Sequence, residues 1–407
     1  MPAPRELLTL DAYRAEVAAL VTGPTQTERV SLDDALDRVL AEDVTAAGPV
    51  PAFANSAMDG YAVRWDDLAS LPARLTVVGE VAAGSGEDPA ITPGECVRIM
   101  TGAPVPQAAD SVVPVEQTDE GVDVVTVHEA PSRGRGAHVR RAGEDVAAGD
   151  VVLRSGTALT PGAVSAAAGA GRGELVVRRR PVIGVAATGD ELVPPGRALG
   201  RGQIYESNAT HLRHAARRLG ADVIVAAAVP DDAGAFAAAL DDLAARADLV
   251  VLTGGASVGA HDVARDVLTE RAGAAYRHVR IQPGKPQGWA RWQGTPVISL
   301  PGNPVSAAIS FELFVRPLVD ALLGRDAPAA DHAVAASGWT SPEGRRQLVP
   351  VALSSDQAGR LLATPTHSRG SASHMVTSLA GAHALAEVPE DVVAVEPGDV
   401  LTIRRFA

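Results

Sequence analysis

The chain has 407 residues, 36 of them basic and 49 acidic, with a formal net charge of −13. That length exceeds one ordinary core and predicts three or four domains. The acidic balance argues against a phosphate-backbone binder, whose affinity rests on clustered Lys and Arg releasing counterions. Cys96, the single cysteine, excludes an intramolecular disulfide and any multi-cysteine metal or iron–sulfur site. The first residues show no apolar leader after a basic start, and no apolar run reaches the length of a membrane span, so the sequence reads as cytoplasmic.

Residues 1 to about 50 read as helical. Leu10, Tyr13, Val17 and Leu20 fall near helical spacing, and Ser31 is placed to cap a helix over Leu32–Leu40. Phe53 to Val63 has no period, yet holds Asn55, a methionine, an Asp-Gly turn and an aromatic. Alone it reads as a turn satisfied by Asn55 and Asp59; the same composition suits a polar loop presenting Asp59 to a ligand. From about 71 to 140, short Val-rich runs between Gly and Pro turns predict a small inserted β domain. Thr101 closes one of these runs, either as a turn hydroxyl or as a ligand donor. Val146–Leu153 reads as a strand pair around Gly149, and Thr160-Pro161 opens a helix ending near Gly169.

From Pro181 the pattern becomes strand, loop, helix. Val182–Ala187 runs into Thr188-Gly189-Asp190-Glu191, and a helix follows over Asn208–Leu219 with Ser207 as candidate cap. Asp222–Val229 is a second strand, ending before Pro230-Asp231-Asp232. The run from Asp248 to Thr253 is apolar enough for a strand buried on both faces, and Gly254, Gly255, Ser257 and Gly259 then break it before a helix starting near Ala260. Two strands flank Pro283-Gly284-Lys285-Pro286 as a hairpin, and Pro296–Leu300 leads through Pro301-Gly302-Asn303-Pro304 into a helix to about Leu323. In a doubly wound sheet the C-terminal ends of such strands share one edge, where ligands bind. After an Ala-rich link, the last 70 or so residues read as a small β domain. Arg345, Arg346, Arg369 and Ser373 are its polar candidates, with solvated surface the plain role for each.

Composition adds a clue. The only lysine is Lys285, and the only asparagines are Asn55, Asn208 and Asn303. A compact ammonium and a flat amide have geometries that guanidinium and carboxylate cannot imitate. Asp190, Glu191, Asp231, Asp232 and Asp262 offer hard oxygen ligands, and no His or Cys cluster has soft-metal spacing; isolated His261 reads as a helix-start residue. That favours Mg²⁺ bound through one or two carboxylates, water and substrate phosphate. Lys285, between Gly284 and Pro286, suits an oxyanion as a point charge. Walker A and Gly-x-Gly-x-x-Gly motifs are absent, which demotes ATPase and dehydrogenase readings; a serine hydrolase elbow is set aside too, although Gly255-Ala-Ser-Val-Gly matches the letters Gly-x-Ser-x-Gly.

Six ordered motifs carry a family resemblance: Asn55-Ser-Ala-Met-Asp-Gly-Tyr, Met100-Thr-Gly-Ala-Pro, Thr188-Gly-Asp-Glu-Leu, Thr253-Gly-Gly-Ala-Ser-Val-Gly with Asp262, Pro283-Gly-Lys-Pro and Pro301-Gly-Asn-Pro. Together they resemble the molybdopterin molybdenumtransferases, the bacterial MoeA proteins and the E domain of gephyrin, over essentially the whole chain. The resemblance implies a helical N-terminal and dimerisation domain over 1–50 and 141–178, an inserted β-rich domain over 51–140, a doubly wound molybdopterin-binding αβ domain over 179–325, and a C-terminal β-barrel-like domain over 326–407. It implies an elongated homodimer in which the inserted β domain of one subunit faces the αβ domain of the other. It also implies insertion of molybdenum from molybdate into adenylylated molybdopterin, with Mg²⁺ present and AMP released; the molybdopterin adenylyltransferase is a further candidate partner.

By motif position, Asp59, Thr101, Glu191, Asp231, Asp262 and Lys285 are carried over as catalytic. Thr188, Gly189, Asn208, Gly254, Gly255, Ser257, Pro301, Gly302, Asn303 and Pro304 become the pterin-binding set, and Asp190, Glu191, Asp231 and Asp262 the metal set. Three departures stand out. Gln282 occupies a position where many members carry a second lysine, removing a charge from oxyanion capture, while Ala187 and Ala256 replace larger or more polar residues. Arg345 and Ser373 fall where the C-terminal domain could help bind molybdate. The rival readings are a tungstate-handling or inactive paralogue, the adenylyltransferase itself, and a non-catalytic scaffold as in gephyrin.

Overall fold

The computed structural model describes residues 7–226, 229–256, 262–326, 328–367 and 372–406. The chain divides into two compact units, one of residues 1–28, 37–41 and 177–407 and the other of residues 29–36 and 42–176. The larger unit carries a seven-stranded sheet. Its elements in chain order are β1 (Leu7–Leu8), α1 (Leu10–Ala18), β2 (Val182–Ala187), α2 (Asn208–Arg218), β3 (Asp222–Val225), α3 (Ala233–Ala244) and β4 (Leu249–Thr253). There follow α4 (Val263–Ala272), β5 (Ala275–Val279), β6 (Pro286–Trp292), β7 (Thr295–Leu300) and α5 (Pro304–Ser310). A π-helical turn over Phe311–Val315 joins α5 to α6 (Arg316–Leu323).

Strand order is β1-β5-β6-β7-β4-β2-β3. Central β4 is buried at all five positions and explains its own composition. Leu249 and Val251 pack into one core with Ile183, Leu212, Ile298 and Phe314, whereas Val250 and Leu252 pack into a second with Phe236, Leu240, Val267 and Val297. Alternate residues enter opposite layers because strand side chains alternate, and helices cover both faces, so the first four positions are apolar and only Thr253, at the rim, is polar. Each such side chain fully removed from water contributes about 1.5–3 kcal/mol. β3 pairs parallel with β2, β2 with β4, and β4 with β7. Their C-terminal ends therefore share one rim.

Residues 331–405 close into a barrel. Arg346–Ser355 pairs with Leu361–Pro365, which pairs with Asp331–Ala335; Val400–Arg405 and Ala384–Val388 follow, and Ala384–Val388 returns to Arg346–Ser355. Ile281–Gln282, just before the Lys285 turn, adds parallel to Arg346–Gln347 and fixes that turn against the barrel.

The second unit is built on a five-stranded sheet of order Ser111–Pro114, Gly60–Val63, Glu95–Ile99, Ala73–Val81 and Val124–Val127. Both faces are covered, with Tyr61, Leu75 and Val125 in one core and Ala62, Val97 and Ile99 in the other. Cys96 lies buried there, and desolvation pushes its thiol up to about 12, so it is an inert core residue.

The αβ, inserted β and C-terminal β layers are those expected, with local corrections. Leu32–Leu40 is not helical. A strand over Thr27–Ser31 ends in turns, and the Ser31 hydroxyl, which donates to Asp34 Oδ2 at 2.8 Å, closes a local turn instead of capping a helix. Leu36 is left 46% exposed. Around Gly149 only Val151–Leu153 is a strand, and it pairs with Val44–Thr45. β3 ends at Val225, and α4 begins at Val263 with Asp262 as its cap; Ala260 lies outside the described residues. Ser207 gives α2 no side-chain cap bond; Glu206 Oε1 accepts from Ala209 N at 2.6 Å and satisfies that turn.

Candidate functional site on the rim of the αβ sheet

Three rim loops are locked together by backbone proximity. Thr188 N donates to Thr253 O at 3.1 Å, drawing the loop after β2 onto the end of β4. Gly254 (φ +92°) and Gly255 (φ +70°) then turn in the left-handed region. A Cβ on Gly254 would stand 2.5 Å from Thr188 Oγ1 and 2.9 Å from Thr188 O; on Gly255 it would stand 2.8 Å from Ala264 Cβ. No side chain fits either place, which is the physical reason for the paired glycines. Gly302, after β7, passes with its Cβ direction 3.8 Å from Gly254 Cα.

Asn208, the first residue of α2, ties these loops. Its Nδ2 donates to Thr253 Oγ1 at 2.8 Å and to Gly302 O at 2.7 Å. Thr253, 2% exposed, passes its own hydroxyl to Pro301 O at 3.4 Å. One amide thus spends both N–H groups fixing two loops, a task that neither Asp nor Arg can perform in that geometry. Asn303 Nδ2 donates to Ser373 Oγ at 3.2 Å, and Val305 N donates to Ser373 O at 3.0 Å, so the Pro301–Pro304 turn is held from the barrel side. Pro304 occupies the first turn of α5, where a missing N–H costs nothing.

The rim carries the predicted carboxylates. Asp190 Oδ1 accepts from Asp231 N at 3.1 Å, which joins the loops after β2 and β3. Asp262 caps α4 through Arg265 N at 3.1 Å and is half-buried. Desolvation raises its pKa, against the pull of the Arg265 amide and guanidinium, and the charges of Asp266 and Asp231 raise it further. The exposed Glu191 side chain folds back over Gly189; a Cβ on that glycine would lie 2.4 Å from Glu191 Oε2. Among the described residues, no three His, Cys, Asp or Glu side chains converge as a metal nest. Ser257, His261 and Arg369 lie outside the described residues.

Lys285 sits on the turn between β5 and β6, and its carbonyl accepts from Val279 N at 2.8 Å. A cis peptide at Gln282-Pro283 and Gly284 at φ +91° shape this turn. Gln287, fully buried, holds it by donating from Nε2 to Gly284 O and to Ser310 Oγ, both at 2.6 Å. Sequence reasoning missed Gln287; an amide in the first, mostly apolar half of a strand was the available signal. It also missed the link between two positions it had named. Arg345 Nη1 donates to Gln282 Oε1 at 2.8 Å, so a guanidinium stands beside the glutamine that replaces lysine.

In the second unit, Asp59 and Thr101 meet. Asp59 Oδ1 accepts from Thr101 N at 2.6 Å and from Thr101 Oγ1 at 2.8 Å, and these bonds hold its pKa below the usual carboxylate range. Asn55 is buried in the strand Asn55–Ser56 and donates to Phe53 O at 3.2 Å, the local turn role. Among the described residues, no helix is long and apolar enough to cross a membrane.

Three family models match in chain order: the MoeA N-terminal region (domain I and II) over residues 8–171, a probable molybdopterin binding domain over 184–321, and the MoeA C-terminal region (domain IV) over 332–406. Molybdopterin molybdenumtransferase 2 of Mycobacterium tuberculosis is 43% identical over 386 residues, covering 92% of this chain and 94% of its own. The molybdopterin molybdenumtransferase of Haemophilus influenzae is 34% identical, covering 98% and 99%. The crystal structure of the molybdopterin biosynthesis MoeA protein from Pyrococcus horikosii superposes with a TM-score of 0.84 at 31% identity, over 99% of this chain and all of that one. With three models in order and relatives matched end to end, this chain belongs to the MoeA family of molybdopterin molybdenumtransferases.

Proposed function

We propose that this protein acts in molybdenum cofactor biosynthesis, inserting molybdenum from molybdate into adenylylated molybdopterin with Mg²⁺ present and AMP released. The observation that carries this reading is the Asn208 tie, which presents Gly254, Gly255 and Gly302 as a preformed backbone cradle on the sheet rim. Such a cradle offers N–H groups to an anion and lets a flat pterin approach without obstruction by side chains. Relatives at 34–43% identity carry the name molybdopterin molybdenumtransferase, which supports the transfer of molybdenum to molybdopterin.

The donor chemistry fits Mg²⁺. Asp190, Asp231, Asp262 and Glu191 offer carboxylate oxygens, the hard donors of an ion that one or two carboxylates share with water and substrate phosphate. Once bound there, the ion would neutralise charge on the adenylyl phosphate. The chain's own groups do the rest. Gly254, Gly255, Gly302 and Asn303 orient the pterin and its phosphate, while Lys285 attracts the oxyanion as a point charge. Arg345, held by Gln282 at 2.8 Å, supplies the second cation that a lysine at 282 would have given, and Ser373, held by Asn303, offers a hydroxyl to molybdate. Asp59, fixed by Thr101, presents a carboxylate that stays ionised. Catalysis on this reading is positioning and electrostatics, with no covalent nucleophile.

The test is an assay of purified protein with adenylylated molybdopterin, molybdate and Mg²⁺, comparing wild type with Glu191→Gln and Lys285→Ala. Both variants are expected to release AMP far more slowly; unchanged release in both would remove the assignment. The reading includes a cytoplasmic homodimer, so sedimentation is expected to give twice the chain mass, and a monomer at micromolar concentration would contradict that part.

A further inference from the structure

Helix α2 has a second polar face that the reaction does not use. His211, His214 and Arg218 recur at helical spacing along it and line a cavity of about 440 Å³. Glu312, on the π-helical turn, also reaches the cavity, but its carboxylate is paired with Arg316 Nη1 at 2.9 Å, so the wall is cationic in balance. The remaining wall is apolar, with Leu379 and Phe406. His211 Nε2 is shielded from solvent and has no hydrogen-bond partner among the described residues. Burial first, then the neighbouring His214, lowers the basicity of that imidazole. The volume lies within the roughly 300–1,000 Å³ of small-molecule sites, and the mix of a few polar groups with an apolar wall is theirs too.

We infer that this cavity is a second ligand site, for a small organic anion with one phosphate or carboxylate head and a flat apolar body. The head meets Arg218 and the two imidazoles, and the body lies against Leu379 and Phe406. The cavity's lip includes Ser207, the residue before Asn208, so the ligand abuts the residue that ties the rim loops. The inference does not depend on the reaction assigned to the rim.

Calorimetric titration with phenyl phosphate, and with phenol as its neutral counterpart, tests it. All titrations use the full chain carrying Lys285→Ala, so that the rim lysine contributes nothing. One saturable site for phenyl phosphate is expected, with phenol at least about tenfold weaker, and with Arg218→Gln and His211→Leu each weakening phenyl phosphate by about tenfold or more. Absence of binding, equal binding of phenol, or unchanged affinity in both pocket variants overturns the inference. Arg218 is exposed, so its variant decides the matter even if His211→Leu fails to fold.

Discussion

The rim of the αβ sheet and the Asp59–Thr101 pair solve the same problem by opposite means. On the rim, glycines in the left-handed region bring three loops within contact of one another, and the amide of Asn208 locks them. In the inserted β domain an exposed carboxylate is pinned by a single neighbour, through its N–H and its hydroxyl. The rim's polar geometry is therefore part of what holds the fold, whereas the Asp59 pair is attached to a sheet that stands without it. The difference teaches which functional residues are also structural, and substitutions should separate the two regions.

Gly254→Val should have the largest effect. Its Cβ would meet Thr188 Oγ1 at 2.5 Å, at a φ of +92° that β-branched residues avoid. A loss of about 3 kcal/mol or more in stability is expected by denaturant unfolding, together with loss of molybdopterin binding. Asn208→Ala comes next. It leaves Gly302 O and Thr253 Oγ1 short of a donor, so a cost of about 1–3 kcal/mol is expected in the same measurement, with AMP release slowed.

Asp59→Asn should behave differently: an unchanged unfolding midpoint, because the carboxylate is exposed, and slow AMP release. Gln282→Leu should have the mildest effect on the reaction. It removes the acceptor that orients Arg345, for a cost of about 1 kcal/mol, and it should raise the molybdate concentration needed for half-maximal rate.

The layers and most of the rim were legible because both are written in local patterns. A strand buried on both faces is apolar almost throughout, and tight turns demand glycine, so β4 and its two glycines announce themselves. The scarcity of asparagine pointed to Asn208 and Asn303, both of which hold rim loops. Asn55 carries the same signal but serves a local turn. What could not be read depends on pairing between distant segments. Ser31 followed by two aspartates resembles a helix start, yet its hydroxyl closes a turn, and that choice between two local bonds leaves no periodic trace. The bond from Arg345 to Gln282 joins positions 63 residues apart, and nothing local to either one announces the other.

The most direct measurement is an equilibrium titration of molybdopterin, followed by its fluorescence, against wild type, Asn208→Ala and Asp59→Asn. If the αβ rim is what grips the pterin, Asn208→Ala binds at least about tenfold more weakly while Asp59→Asn binds as wild type. The reverse pattern, with affinity kept in Asn208→Ala and lost in Asp59→Asn, would contradict it.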